Sequence, residues 1–114
     1  MASAERNLIR ATVRGFSRAI ILWLVSQKPT SGYRIVKDVE GLTGEKIPPG
    51  IIYPLLYELE KEGFVAGEWT QKGRCRIKYY VITENGTRLL SRLRELFEMP
   101  VKEVLKDFIG ENSE

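Results

Sequence analysis

The chain has 114 residues, 43% of them apolar and 29% charged, with a formal net charge of +3 and an isoelectric point near 9.1. That composition fits one globular domain with a mild basic bias and argues against a disordered chain. With no histidine and a single cysteine, the chain can build no intramolecular disulfide, zinc site or Ser-His-Asp triad, and no metal or cofactor is expected. The opening Met1-Ala2-Ser3-Ala4-Glu5-Arg6 is not followed by the apolar core of a secretory signal. The apolar run Ala19 to Val25 is too short to span a bilayer. The cytoplasm is therefore the expected location.

In chain order, the first segment runs from about residue 4 to Gln27, with Ile9, Val13, Phe16, Ile20, Trp23 and Leu24 at helical spacing. Thr12 and Gly15 weaken it, so residues 1–15 read as an N-terminal arm or a helix extension. The helix should stop before Lys28-Pro29. Thr30 or Ser31 can cap a second helix from Gly32 to about Glu40, with Tyr33, Val36 and Val39 on its buried side. Gly41, Gly44 and Pro48-Pro49-Gly50 read as the connection that follows. A third helix is expected over Ile51 to Glu62, stopped by Gly63, with Pro54 tolerated in about its first turn. Phe64 to Thr70 and Arg76 to Thr83 read as strands joined by a hairpin that Lys72-Gly73 signals. Thr83 caps a last helix, Glu84 to about Ile109, which Pro100 should bend or split. The fold class is thus mostly α with a small β-hairpin (α+β). Three helices, two strands and a helix make a winged helix-turn-helix over residues 16–83, followed by a C-terminal helix over 84–114.

Four features carry the functional reading. On the third helix, Leu55, Leu56 and Leu59 fall within about 60 degrees of Ile52 and form with it the buried stripe. Gly50, Tyr53, Tyr57 and Lys61 lie opposite, a face suited to a major groove, with the helix N-terminus favouring anions. The competing role for the tyrosines is packing under the wing for Tyr53 and plain surface for Tyr57. In the hairpin, Lys72, Arg74, Arg76 and Lys78 place four cations in seven residues with no acid among them. Strand alternation sends them to one face, disturbed by the turn at Lys72. Such a tip can straddle phosphates or enter a minor groove, or it can simply be a solvated, aggregation-resistant edge. Arg6, Arg10, Arg14 and Arg18 form a stripe that is either a solvated face or a backbone contact. On the last helix, Leu90, Leu93, Phe97, Val101, Val104 and Phe108 fall within about 80 degrees of one another, while Leu89 and Leu96 make a second row for the domain's own core. A helix with two apolar rows calls for a partner, most simply a second copy. Cys75, between Arg74 and Arg76, reads as an incidental exposed thiol, with redox sensing the minor alternative.

Tyr33 after Ser31-Gly32, the run from Gly50-Ile51-Ile52-Tyr53-Pro54 to Gly63, and Tyr79-Tyr80-Val81-Ile82-Thr83-Glu84-Asn85-Gly86 resemble the PadR family of transcriptional regulators, over about residues 16–97. The resemblance implies a compact winged helix-turn-helix with a C-terminal dimerisation helix. It also implies operator binding and repression usually relieved by a small ligand. Two departures stand out: the family often has a serine where this chain has Pro48, and a threonine where it has Ile51. Losing those hydroxyls shifts weight to Tyr53, Tyr57 and the wing. Some relatives bind flat aromatic ligands between subunits; Trp23 and Phe97 are the candidates to line such a pocket here, with core packing the favoured role for Trp23. The expected partners are therefore a pseudo-palindromic duplex, a second copy and a small aromatic effector, with no membrane. A winged-helix adaptor for another protein is the competing reading. An enzyme is not expected, for want of paired carboxylates, a phosphate-cradling glycine loop or a metal constellation.

Overall fold

The computed structural model describes residues 2–43, 49–98 and 101–110. Its first helix, α1 (Ala2–Gln27), is continuous through Gly15 and ends just ahead of Lys28-Pro29. Ser17, Ile21, Leu22 and Val25 are its buried residues. The stripe expected at helical spacing is mostly outside: Ile9 is 56% exposed, Phe16 49% and Trp23 43%. Only Ile20 and Leu24 of that set pack on the core, and the Val13 side chain lies outside the described residues. At 100 degrees per residue, Ile9, Phe16 and Trp23 sit within about 40 degrees of one another, and about 120 to 160 degrees from Ile21. The helix therefore has two apolar faces, and the sequence pattern marks the outer one.

A two-residue strand, β1 (Thr30–Ser31), follows. It carries no periodic signal and is absent from the sequence reading; Pro29 keeps Lys28 out of the helical region, and the strand forms by pairing Thr30 with Tyr80 and Ser31 with Tyr79. Helix α2 (Gly32–Thr43) is capped by Ser31, whose Oγ accepts the Arg34 N–H at 3.2 Å. It runs three residues beyond the expected end. Ile35, Val36 and Val39 are buried, but Tyr33 is 68% exposed, contrary to its expected place inside. Ile35, not Tyr33, completes the buried arc, and Tyr33 lies about 160 degrees from Ile35 around the helix.

Helix α3 (Pro49–Lys61) starts earlier than expected. Pro54 therefore falls in the second turn, where its missing N–H leaves the Gly50 carbonyl without a helical partner; Gly50 is exposed, so water can serve it. Ile52, Leu55, Leu56 and Leu59 are all buried, as expected. The helix ends in a Schellman motif: Gly63 N–H donates to Glu60 O at 3.0 Å and Phe64 N–H to Leu59 O at 2.9 Å. Gly63 has φ of 82°, which a side chain would resist.

Strands β2 (Val65–Lys72) and β3 (Cys75–Ile82) pair antiparallel, with β1 on the other side of β3, in the order β1-β3-β2. Lys72 pairs with Cys75, so the turn is Gly73-Arg74, and Gly73 at φ of 61° supplies the positive first position of a II′ hairpin. The longer strands place Lys72 on the face opposite Arg76 and Lys78, because Gln71 is the partner of Arg76 and Trp69 that of Lys78.

Thr83 caps α4 (Glu84–Glu98), accepting the Gly86 N–H at 3.0 Å while donating its Oγ1–H to Gly63 O at 2.6 Å. Gly86 is buried, and a Cβ there would stand 2.0 Å from the Phe64 carbonyl oxygen. The last helix is split, one of the two outcomes expected from Pro100: α5 (Val101–Ile109) is separate, and Met99 and Pro100 lie outside the described residues. Leu89, Leu90 and Leu93 all pack on the chain's own core. Leu96, expected in the core row with Leu89, is 51% exposed. Seven residues carry it about 10 Å farther along the axis, past the last core side chains.

Candidate nucleic-acid interface

The leucines and Ile52 of α3 dock on the core, which turns Tyr57 (57% exposed) and Lys61 outward beside an exposed Gly50. Tyr53 is half-buried: a Cβ at Gly32 would sit 2.6 Å from its Cε1, so its ring is wedged over the start of α2. Its ring centroid lies 6.5 Å from that of Tyr57. Ile51, standing where relatives often carry a threonine, packs against the core; Pro48 is outside the described residues.

In the wing, Lys72, Arg74 and Arg76 are exposed. Arg76 rests over the Trp69 ring at 5.2 Å and Lys72 over Tyr79 at 5.6 Å. Lys78 is different, with its side chain 23% exposed and its Nζ 2.9 Å from Glu60 on α3. The same ammonium lies 5.2 Å from the Tyr80 ring, 5.9 Å from Trp69 and 6.0 Å from Tyr57. Gly67 makes the room: a Cβ there would fall 2.1 Å from Lys78 Cε. The Glu60 hydrogen bond raises the Lys78 pKa above its ordinary value. Burial raises that of Tyr80, which keeps its phenol protonated. Lys78 is thus a cation already matched to a carboxylate, and it joins the wing to α3.

The other carboxylate on this stretch of α3 is matched as well. Glu58 accepts from Arg18 Nε at 2.6 Å and from Nη2 at 2.9 Å. The bond holds the Glu58 carboxyl below the usual carboxylate range. Arg18, the last of the four spaced arginines, therefore has its partner inside the chain. Arg6 and Arg14 are exposed, and the Arg10 side chain is outside the described residues.

Tyr53, Tyr57, Arg76 and Lys78 come together around one open concavity of about 510 Å³ between α3, the wing and the start of α2. Gly50, Lys61, Lys72 and Arg74 lie outside its lining. Tyr33, expected inside, and Trp69, which the sequence pattern does not single out, also line it. The hairpin register would have found Trp69, since a two-residue turn at Gly73-Arg74 sets it opposite Lys78.

A second hollow of about 530 Å³ lies between α1 and α4–α5, lined by Trp23, Leu90, Leu93, Phe97 and Leu105 among others. Trp23 is outside the core, which corrects the packing role favoured for it. Phe97 stacks on Phe16 with centroids 6.2 Å apart. Val104 is 63% exposed and Phe108 86%; the Val101 side chain is outside the described residues. Among the described residues, no helix is long and apolar enough to cross a membrane. Cys75 is exposed and free.

Comparison with known proteins agrees with this geometry. The model of the transcriptional regulator PadR-like family matches residues 21–92. The transcriptional regulator YqjI of Escherichia coli is 34% identical over 98 residues, which cover 84% of this chain and 46% of that protein. The chain thus spans about half the length of the curated relatives it matches. A PadR-like transcriptional regulator of Bacillus cereus superposes with a TM-score of 0.76 at 25% identity, covering 88% of this chain and 97% of that one. A transcriptional regulator of Clostridium thermocellum gives 0.74 at 28% identity over 87% and 95%. The chain is a winged-helix protein of the PadR-like family, a family of transcriptional regulators and not of enzymes.

Proposed function

We propose that the chain acts in the cytoplasm as a homodimeric, sequence-specific repressor that releases its operator on binding a small ligand. One observation carries the DNA-binding part of this reading: the tyrosine face of α3 and the cationic wing border the same concavity, while the two carboxylates of α3, Glu58 and Glu60, are bound by arginine and lysine. Lys72, Arg74 and Arg76 contact phosphates; Tyr53, Tyr57, Lys61 and Gly50 approach the groove; Lys78 holds the wing to α3. Residues 16–83 form the DNA-binding unit.

The second copy docks on the outer face of α1 and on residues 84–114. Support comes from the exposed apolar side chains Ile9, Phe16, Trp23, Val104 and Phe108 on these elements. Leu90, Leu93 and Phe97 continue that surface inward, with Val101 in α5. The hollow holding Trp23 and Phe97 takes a flat aromatic effector. Two copies would meet half-sites about 34 Å apart.

Titration of a duplex at two salt concentrations tests the reading. Affinity should fall steeply with salt, and replacing Lys72, Arg74 and Arg76 together by alanine should abolish most of it. No binding at low salt would favour a protein-binding adaptor. Sedimentation that gave a monomer at micromolar concentration would end the dimer.

A further inference from the structure

Tyr33 is 68% exposed and Trp69 59% exposed, on two different elements, yet both border the concavity beside α3. Each ring carries a cation: Lys37 stands 5.7 Å from the Tyr33 centroid and Arg76 5.2 Å from that of Trp69. Among the described residues, no Asp or Glu lines the concavity. Asp38, the acid next along α2, is paired with Arg34 at 3.3 Å. The surface therefore combines apolar ring faces, hydroxyl and indole donors, and unmatched positive charge. That mixture complements a sugar–phosphate chain, whose deoxyribose is apolar and whose phosphates accept hydrogen bonds and attract cations.

We propose that this concavity seats the backbone of one DNA strand, with Tyr33 and Lys37 of α2 and Trp69 of β2 as contacts beyond those of α3 and the wing cations. The inference rests on the DNA-binding reading above. In a duplex the bases are stacked on one another, so the rings meet deoxyribose and not base faces. The Tyr33 hydroxyl and the Trp69 indole N–H donate to phosphate oxygens. Lys37 and Arg76 neutralise phosphates on the two sides of the seat.

The test uses the full chain and a mixed-sequence duplex about three helical turns long, titrated from about 50 to 200 mM salt. Tyr33→Phe removes only a hydroxyl. It should weaken binding by about tenfold and leave the salt slope unchanged. Lys37→Met should flatten the slope by about 0.9 for each copy on the DNA. In a Trp23→Phe background, Trp69 emission should be quenched as duplex is added. Both α2 side chains are exposed, so unchanged helicity and urea midpoint are expected and serve as the folding control. If wild-type protein binds duplex while Tyr33→Phe and Lys37→Met bind identically to it, the seat is refuted and the DNA-binding reading stands. If wild-type protein binds no duplex at low salt, both fall. Preference for a single strand over duplex, with bases stacked on Trp69, would also overturn the seat.

Discussion

Arg76 and Lys78 are two residues apart on one strand face, yet the structure gives them different electrostatic roles, and the salt dependence of DNA binding separates them. Arg76 is exposed and rests over the Trp69 ring, and no ion pair of it is formed among the described residues. Lys78 is bound to Glu60 at 2.9 Å and surrounded by three rings. A phosphate contact contributes about 0.9 to the slope of log affinity against log salt. In a dimer each residue counts twice, so Arg76→Met should flatten the slope by about 1.8. Between about 50 and 200 mM salt that difference amounts to roughly a twelvefold change in relative affinity. The paired substitution Lys78→Met with Glu60→Gln removes one charge of each sign and should leave the slope where it was. Fluorescence anisotropy of a labelled duplex across a salt series reads both. A slope lowered equally by the two variants would mean that Lys78 leaves Glu60 for a phosphate, and the assignment of Lys78 to joining wing and helix would be wrong.

Three further outcomes concern the scaffold. Gly86→Ala places a methyl group 2.0 Å from a backbone oxygen and should destabilise the fold by about 3 kcal/mol, seen as a lower urea midpoint at unchanged m-value. Thr30 Oγ1 is buried with no hydrogen-bond partner among the described residues, so Thr30→Val should raise stability by about 1 kcal/mol in the same assay; a loss would show that the hydroxyl is satisfied. The Glu58 carboxyl is held below its unfolded value by Arg18, so its contribution is present above the ordinary carboxylate range, about pH 4, and fades as the pH falls through the folded value. The midpoint difference between wild type and Glu58→Gln should accordingly be visible at neutral pH and shrink in acid.

Where the sequence was legible, one physical requirement acted alone. The stripe Ile52-Leu55-Leu56-Leu59 had a single face to fill, and all four are buried. Gly63, Thr83 and the wing strands each announced themselves through backbone conformation, capping or β-branched runs. Where two demands overlapped, the pattern misled. Helix α1 has apolar residues on two sides, and the more regular set proved to be the exposed one. Helical spacing with Val36 points Tyr33 inward, whereas Ile35 fills that place. The pairing of Lys78 with Glu60 joins residues eighteen apart, and only the close approach of wing and helix over Gly67 brings them together. Nothing in β2 alone sets Trp69 apart; its partners lie on β3 and its companion Tyr33 on α2.

The junction around Thr83 has a geometric consequence. Thr83 N–H bonds to Phe64 O at 3.1 Å, its hydroxyl bonds to Gly63 O, and Gly86 presses on the same Phe64 carbonyl. The end of α3 and the beginning of α4 are thereby fastened to one another with no intervening slack. Two copies gripping each other through α4 would act as a caliper whose jaws are the α3 helices. The opening of that caliper, and so the number of base pairs between half-sites, would be fixed at this hinge-free corner and not by the loops.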